Sequence, residues 1–318
     1  MQNDFNGIVN VFKEQDFTSH DVVAKMRGIY KQKKIGHTGT LDPMAEGVLI
    51  VCLGQATKLA DILISKNKTY VAKMKLGFTS NTDDTTGEME SVVTEEELDG
   101  LFGDESRIEA QIKEVFQSFL GDSMQIPPMY SAIKVNGKKL YEYARAGIVI
   151  EREPRPISIY KLELKDIDTV NREISFEVEC SKGTYIRSLI RDMGEKLGTG
   201  AVMSGLIRNE VNGIYAENGY RLSDLQVLKE EGRLSESLLP MDELLKSFPR
   251  VSINETGLKY LQNGNRLMFS NFVDDEHLKH WSDKLENAEF IRVYQDDELK
   301  ALYKFDKEKN DYKVFKML

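Results

Sequence analysis

The chain has 318 residues, of which 41% are hydrophobic and 30% charged, and its formal net charge is −9. This length allows one large domain and a small one, and the composition is that of an ordinary globular protein. No apolar run approaches the roughly 20 residues needed to cross a bilayer, and residues 1–10 lack the pattern of a signal peptide. Cys52 and Cys180 lie in apolar, strand-like runs, which favours buried reduced thiols. We therefore expect a cytoplasmic protein without a membrane anchor.

The negative net charge argues at first against a nucleic-acid partner, because phosphates favour basic surfaces. The charges are unevenly spread, however. Residues 20–75 hold ten Lys/Arg and four Asp/Glu, whereas residues 81–114 hold two and twelve. A chain with separate basic and acidic segments can still present a positive face to RNA.

The first predicted elements lead to a glycine-containing loop. Ser19 begins a predicted amphipathic helix, and residues 34–53 then read K-I-G-H-T-G-T-L-D-P-M-A-E-G-V-L-I-V-C-L. The run Val48–Leu53 has the pattern of a buried strand, and a polar loop fastened to a core strand commonly holds reactive side chains. Asp42 is the first candidate. On residue types alone, the simpler interpretation is that Asp42 caps a helix beginning at Pro43.

The next predicted elements are a strand, a polar loop and two helices. Apolar residues alternate with polar ones from Tyr70 to Leu76, which predicts a half-buried strand with Tyr70 facing the core. Residues 77–90 form a polar loop in which a metal site is not expected. Thr94 with Glu97, and Ser106 with Glu109, each fit a capping box at the start of a helix.

Residues 125–147 differ from the scaffold around them. They read Q-I-P-P-M-Y-S-A-I-K-V-N-G-K-K-L-Y-E-Y-A-R-A-G, with basic side chains interleaved with tyrosines. That mixture suits a surface that binds a nucleic-acid backbone and stacks on bases, and it also occurs on ordinary amphipathic helices. A strand is predicted from Ile174 to Cys180, followed by a helix that Thr184 caps and Gly198 ends. Arg187 then lies in the first turn of this helix.

The pattern changes near Pro240–Pro249, and the remaining 70 or so residues have the size of a small domain. A capped helix is predicted over residues 254–264. Strands are predicted over residues 290–294, 299–305 and 312–317, with Asp/Asn-rich turns between them.

Four segments together resemble the bacterial tRNA pseudouridine-55 synthases, the TruB family. They are G-H-T-G-T-L-D-P at residues 36–43, the segment beginning K-T-Y at residue 68, P-P-M-Y-S-A-I-K-V-N-G-K at residues 127–138, and K-G-T-Y-I-R at residues 182–187. Residues 249–266 more loosely resemble the start of a PUA domain, a small RNA-binding β-barrel. The resemblance is strongest between residues 36 and 200.

The resemblance implies an α+β fold with a mixed, largely antiparallel central sheet flanked by helices and loops, and a small C-terminal PUA-like β-barrel. It implies a catalytic pseudouridine synthase domain over residues 1–245, with an RNA-gripping insertion at about 124–155. Residues 249–318 would form the PUA-like RNA-binding domain.

The resemblance also implies residue roles. Asp42 would be the nucleophile, Arg187 its ion-pair partner, and Tyr70 the active-site tyrosine. His37 would occupy the place of the flipped-out base, and Leu206 would wall the pocket. The full set of implied substrate-binding residues is Lys34, Gly36, His37, Thr38, Tyr130, Lys134, Lys138, Lys182, Tyr185 and Leu206.

The implied reaction is the isomerisation of uridine 55 in the T-arm loop of tRNA to pseudouridine. It needs no cofactor and no metal, and the implied partner is tRNA, with the chain acting as a monomer without a protein partner. Three positions depart from the family pattern, which bears on tRNA contacts: Val202, Ile207 and Glu210 stand where histidine or arginine is expected. The N-terminal segment at residues 12–19 also lacks the proline and glycine of the family.

Two alternative functions remain at this point. Asp42 and Glu46 are spaced i and i+4, so on a helix they would share a face and act as the carboxylate pair of a glycosidase. The chain can also be read as an RNA-binding or RNA-folding protein without turnover. Asp42, Tyr70 and Arg187 together argue against the second alternative, because a protein that only binds has no need of all three.

Overall fold

The computed structural model describes residues 5–64, 67–274, 276–281 and 284–318. The strands of this part of the chain are β1 (Gly7–Lys13), β2 (Ile35–His37), β3 (Glu46–Leu53), β4 (Lys68–Leu76), β5 (Phe78–Ser80), β6 (Met89–Ser91), β7 (Gly121–Gln125), β8 (Lys134–Val135), β9 (Lys138–Lys139), β10 (Arg155–Asp168), β11 (Glu173–Cys180), β12 (Ala201–Val211), β13 (Ile214–Tyr215), β14 (Arg250–Ser252), β15 (Ile291–Gln295), β16 (Glu298–Asp306) and β17 (Asp311–Met317). The α-helices are α1 (Ser19–Tyr30), α2 (Ala60–Ile64), α3 (Glu95–Phe102), α4 (Glu105–Phe119), α5 (Leu140–Arg145), α6 (Ile186–Leu197), α7 (Leu222–Glu230), α8 (Glu255–Gln262) and α9 (Glu276–Trp281). None of the described helices has the length and apolar character that crossing a bilayer requires.

The main sheet has the order β1-β3-β12-β4-β11-β10-β7, with β2 also pairing with β3 and β13 with β12. Its pairs are antiparallel except for the parallel contact between β3 and β12. The prediction of an α+β fold with a mixed, largely antiparallel sheet is confirmed. Strand β4, which carries Tyr70, lies between β12 and β11 in the middle of this sheet.

Local sequence patterns explain why the elements around the sheet form. Thr18 and Asp21 make a capping box at the start of α1, and the predicted apolar side of this helix is buried. Strands β4 and β11 alternate buried with less buried residues, as predicted for strands with one face in the core. Gly198 ends α6 in the left-handed region with φ 75°, also as predicted.

Two predicted helix starts are wrong. Helix α4 is capped by Asp104, whose side chain accepts a hydrogen bond from the Arg107 amide at 3.1 Å, so Ser106 lies inside the helix rather than before it. Helix α6 begins at Ile186, because the Thr184 hydroxyl donates to the Ser181 carbonyl at 3.0 Å and does not cap the helix. In both cases a nearby polar group offers the better local hydrogen bond.

The C-terminal strands form a second sheet in the order β14-β15-β16-β17. Helix α8 begins after its cap Asn254, as predicted, and the three predicted strands correspond to β15, β16 and β17. Across the described residues this sheet is open, so the expectation of a closed β-barrel is not met by these strands. Residues of β3 such as Ile50 share one hydrophobic cluster with Tyr294 and Leu302 of the second sheet. The two sheets are therefore joined by a common core.

Gly47 permits the close contact between β3 and β12. It has φ +98°, and a Cβ at this position would lie 2.3 Å from the backbone carbonyl oxygen of Arg208. A side chain would be strained by the backbone conformation and would also push the two strands apart.

We expect Gly47→Ala to lower the free energy of unfolding by about 3 kcal/mol, because strain and overpacking add. Urea denaturation measures this loss. Gly213→Ala is the matched control, since Gly213 has φ +79° with no atom near the site of a Cβ, and it should cost only about 1 kcal/mol. Equal losses in the two variants would show that the contact with β12 is unimportant.

Candidate active site

Asp42 lies in the loop between β2 and β3, and no helix follows it. Its backbone carbonyl accepts a hydrogen bond from the Ala45 amide at 3.1 Å, which makes a single turn before β3 begins at Glu46. The interpretation of Asp42 as a helix cap is therefore wrong. Its carboxylate instead points to Arg187, with 3.0 Å between Oδ2 of Asp42 and Nε of Arg187.

The same geometry removes the basis of the glycosidase alternative. Asp42 and Glu46 would share a face only on a helix, whereas Glu46 is the first residue of strand β3. The cavity that contains Asp42 is not lined by Glu46. The pairing of these two carboxylates on one helix face was therefore a wrong prediction.

Arg187 is a buried connection between three segments of the chain. Its side chain is 5% exposed, and only Nε contacts Asp42, whose own side chain is 37% exposed. Nη1 donates to the Thr82 carbonyl at 2.8 Å and Nη2 to the Tyr130 carbonyl at 2.9 Å. Arg187 therefore holds Asp42 through one nitrogen and uses the others to fix the surrounding loops.

Asp84 places a second carboxylate beside Arg187. Its Oδ2 lies 3.6 Å from Nη1 of Arg187, and its side chain is almost fully buried. Oδ1 accepts hydrogen bonds from the Thr86 amide at 3.0 Å and from the hydroxyls of Thr82 and Thr86. The sequence predicted only a polar loop here, because the contact with Arg187 joins positions about a hundred residues apart.

Tyr70 faces the cavity from the central strand β4 and is 8% exposed. Burial raises the pKa of its phenol to about 12, while the neighbouring Arg208 acts in the opposite direction. Arg208 is itself buried, and it donates from Nε to the Val48 carbonyl at 2.7 Å and from Nη2 to the Gly39 carbonyl at 3.1 Å. The sequence analysis did not single out Arg208, although a charged residue in the apolar strand β12 was a signal for it.

Two buried lysines lie close to the same loop. Lys13 donates from Nζ to the carbonyls of Pro43 at 3.1 Å and Ala45 at 2.5 Å, which fixes the turn that follows Asp42. Burial lowers the pKa of Lys13 to about 8. Burial, with a smaller contribution from Arg208, also lowers the pKa of Lys68 to about 8. Both amines keep a larger neutral fraction than a lysine in water.

The candidate residues meet at a cavity of about 620 Å³, a size typical of small-molecule sites. The predicted site residues that line it are Asp42, Tyr70, Tyr130, Lys182, Tyr185, Arg187 and Leu206. Lys139, Tyr141 and Arg145 of the insertion also line it, with the cations of Lys139 and Arg145 each 5.3 Å from the centre of the Tyr141 ring. The site therefore combines a carboxylate, aromatic surfaces and several cations.

Other predicted binding residues lie outside this cavity lining. Gly36 and His37 are in β2, and the Thr38 side chain is buried. Lys34 is exposed before β2, and Lys134 and Lys138 lie in the small β8–β9 hairpin.

His37 lies behind the cavity wall, in contact with a residue that lines the cavity. Its ring packs edge-on against His20, with 5.6 Å between ring centres, and His20 does line the cavity. Burial lowers the pKa of His37, and His20 and Arg208 lower it further, so the ring is held neutral at physiological pH.

The three departures from the family pattern are all on β12. Val202 is buried, and Ile207 is 36% exposed. Glu210 accepts hydrogen bonds from the Thr69 hydroxyl at 2.9 Å and the Gly213 amide at 2.6 Å. Glu210 thus stabilises the end of its own strand. Across the described residues, no group of three or more His, Cys, Asp or Glu side chains is arranged to hold a metal ion.

Comparison with known proteins agrees with the motifs and the fold. Residues 27–186 match the model of the TruB family pseudouridylate synthase N-terminal domain, and residues 187–246 match that of the tRNA pseudouridylate synthase B C-terminal domain. The tRNA pseudouridine synthase B of Lachnoclostridium phytofermentans is 46% identical over 98% of this chain and 99% of its own length. That of Ligilactobacillus salivarius is 40% identical with the same coverage.

A comparison with solved structures also finds a similar fold. The chain is similar to a protein in the crystal structure of a Cbf5-Nop10-Gar1 complex, with a TM-score of 0.70 and 28% identity. The match covers 98% of this chain and 84% of the other. From the matched family models and these relatives, the chain belongs to the TruB family of pseudouridylate synthases.

Proposed function

We propose that this chain isomerises uridine 55 in the T-arm loop of tRNA to pseudouridine, with Asp42 as the nucleophile. The observation that carries the proposal is the 3.0 Å contact between Asp42 and the buried Arg187 at the wall of the cavity. Membership of the TruB family makes the chain an enzyme that converts uridine to pseudouridine, so the alternative of an RNA-binding protein without turnover falls away.

The reaction breaks the bond between N1 of uracil and C1′ of ribose, turns the ring, and joins C5 to C1′. Carbon 5 loses a proton and N1 gains one, so atoms and electrons balance without a cofactor. A carboxylate is a suitable nucleophile for attack on either the ribose or the pyrimidine ring. Asp42 has the required access, because its side chain is 37% exposed while its partner Arg187 is buried.

Arg187 holds the nucleophile in place. A guanidinium gives a carboxylate a directional, charge-assisted hydrogen bond, here between Nε of Arg187 and Oδ2 of Asp42. Because the other nitrogens of Arg187 bind the carbonyls of Thr82 and Tyr130, the guanidinium cannot rotate away from Asp42. Asp84 places a second negative charge near the guanidinium, with its Oδ2 3.6 Å from Nη1 of Arg187.

Tyr70 supplies an aromatic surface for the target base and lies on β4, between β12 and β11 in the middle of the sheet. We assign it a part in the loss of the proton from carbon 5. Leu206 forms the wall of the cavity beside it. The target uridine must leave its stack in the RNA, at a cost of about a few kcal/mol, and we propose that the neutral ring of His37 fills the vacated place.

The proposed RNA surface extends from the cavity over the insertion. Lys182 and the Lys139–Tyr141–Arg145 group combine positive charge with an aromatic face, which suits a phosphate backbone with unstacked bases. We further propose that the chain works as a monomer in the cytoplasm without a protein partner. The unpaired, buried thiols of Cys52 and Cys180 are consistent with a reducing compartment.

Residues 249–318 are proposed as a second RNA-binding unit, as expected for a PUA-like domain. Lys304 and Lys313 are directly opposite each other on the antiparallel strands β16 and β17, and both are exposed. Like charges in this position repel. A phosphate between them would relieve that repulsion, which supports an RNA contact on this face.

Asp42→Asn should abolish pseudouridine formation, because the amide is nearly isosteric but is not a nucleophile. The assay follows a T-arm hairpin containing uridine and detects a product of unchanged mass that reacts with carbodiimide. Binding of tRNA should stay within about threefold of wild type, since the charge change is small against many phosphate contacts. Retained turnover would refute the role of Asp42.

Arg187→Lys should lower the single-turnover rate by about a hundredfold or more, because one ammonium cannot hold Asp42 and two carbonyls at once. Rates at saturating enzyme separate this effect from binding. Arg191→Lys is the matched control on the same helix, since Arg191 pairs with Asp83 and Asp192 and does not contact Asp42. A near-normal rate for Arg187→Lys would contradict the proposed ion pair.

Changing Lys304 and Lys313 together to glutamine should weaken tRNA binding by about tenfold at physiological salt and reduce its salt dependence. The rate at saturating tRNA should not change, because neither lysine lines the cavity that contains Asp42. The control pair is Lys161 and Lys165. Lys161 forms an ion pair with Glu177, and Lys165 forms one with Glu163. Unchanged affinity would show that this face does not bind RNA.

A further inference from the structure

A buried guanidinium faces the tyrosine of the candidate active site. Arg208 is 1% exposed and lies directly opposite Tyr70 in the antiparallel pair of β12 and β4. Residues directly opposite each other on such strands project from the same face of the sheet. Both side chains line the cavity that contains Asp42, which places the Arg208 guanidinium beside the Tyr70 phenol.

Hydrogen bonds of Arg208 go to backbone on both sides of Asp42. Its guanidinium holds the carbonyl of Gly39, three residues before Asp42, and that of Val48, in the strand that follows. One side chain therefore connects the loop of the nucleophile with the tyrosine. A shift of Arg208 would move both groups relative to the substrate.

Among the described residues, no carboxylate forms an ion pair with the Arg208 guanidinium. The ionisable group that favours its charged form is the Tyr70 phenol. A buried cation is costly unless polar groups compensate it. If Arg208 served only to fill this space in the fold, an apolar side chain would do so with a smaller desolvation penalty. The positive charge at this position therefore needs an explanation.

We propose that Arg208 is a positioning residue for the isomerisation, which holds the phenol oxygen of Tyr70 at the target ring and fixes the loop that carries Asp42. The inference rests on the proposed function and extends it to a residue outside the predicted catalytic set. A guanidinium has N–H donors and no acceptor, so toward the phenol it can only donate to the oxygen and cannot accept from the hydroxyl. The positive charge also favours negative charge on that oxygen, against the effect of burial.

The competing explanation is that Arg208 only supports the fold through its two carbonyl contacts. The two explanations differ in how the effects of changes at positions 70 and 208 combine. If Arg208 acts through the Tyr70 hydroxyl, removing that hydroxyl removes much of what Arg208 contributes. If it only supports the fold, the two losses in rate multiply.

The first experiment measures single-turnover rates on a uridine-containing T-arm hairpin at saturating enzyme. We expect Arg208→Lys to lower the rate by about tenfold or more in the wild-type background, the loss expected for a charged hydrogen bond. In the Tyr70→Phe background the same change should lower it by less than about threefold, because the shared contact is already gone. The dissociation constant for tRNA should stay within about threefold in every variant.

The matched control is Arg292→Lys in the second sheet. Arg292 is also a buried arginine that donates to a carbonyl, that of Phe248, and to a tyrosine hydroxyl, that of Tyr294. It has the same two kinds of hydrogen-bond acceptor as proposed for Arg208, away from the cavity, and it differs in having the Asp242 carboxylate 3.8 Å from Nη1. Its rate should equal that of wild type, and an equal loss in both variants would show a general effect on stability.

A second experiment reads the contact without using activity. In protein labelled with ¹³C at Cζ of tyrosine, the Tyr70 resonance is identified by its loss in Tyr70→Phe. It should shift in Arg208→Lys, because the guanidinium beside the phenol is replaced, and remain unchanged in Arg292→Lys. If Arg208→Lys does not fold, the ¹⁵Nη resonance of Arg208 is compared between wild type and Tyr70→Phe, where it should move.

The outcomes separate this inference from the proposed function. An active wild-type chain whose two losses multiply, or whose Tyr70 and Arg208 resonances do not respond to each other, would overturn the role of Arg208 alone. If Tyr70→Phe has no measurable rate, the single variant Arg208→Lys is decisive. A rate loss together with a shifted Tyr70 resonance supports the role of Arg208, and an undiminished rate or an unmoved resonance overturns it. A wild-type chain that forms no pseudouridine would overturn both.

Discussion

The contact between Asp42 and Arg187 is the interaction on which the site depends. It joins a loop near the start of the main sheet to a helix about 145 residues later, so it exists only when the sheet is complete. The helix supplies a buried cation and the loop a carboxylate that reaches the cavity. This arrangement keeps one member of the pair rigid while the other stays accessible to a substrate, which is the asymmetry that a nucleophile requires.

Buried positive charge recurs around this loop, and backbone carbonyls satisfy much of it. Lys13 holds the turn after Asp42, Arg208 holds the residues on either side, and Arg187 holds two neighbouring loops. Carbonyl oxygens compensate part of the cost of burial without neutralising the charge. The local field therefore remains positive at a place where the proposed substrate carries phosphates. The overall charge of −9 gives no hint of this, because it sums over acidic segments elsewhere.

The predictions that depend on local pattern were largely right, and those that depend on tertiary geometry were incomplete. The alternation from Tyr70 to Leu76 specifies a strand, and the apolar side of α1 specifies its packing, so both elements were predictable. Asp104 competed with Ser106 for the same helix start, a choice that depends on fine hydrogen-bond geometry. Asp84 and Arg208 were missed because their partners are remote in sequence. Motif resemblance identified Asp42 and Arg187, but it did not show that a single nitrogen makes their contact.

The hydrophobic cluster shared by the two sheets couples the stability of one sheet to that of the other. Because Ile50 and Val48 pack with Tyr294 and Leu302, neither sheet buries its apolar surface fully without the other. Grafting the C-terminal segment onto another scaffold would leave part of that surface in contact with water. The molecule should behave as one cooperative unit, so a substitution at Tyr294 or Leu302 within the shared cluster can alter the lifetime of the strand beside the nucleophile.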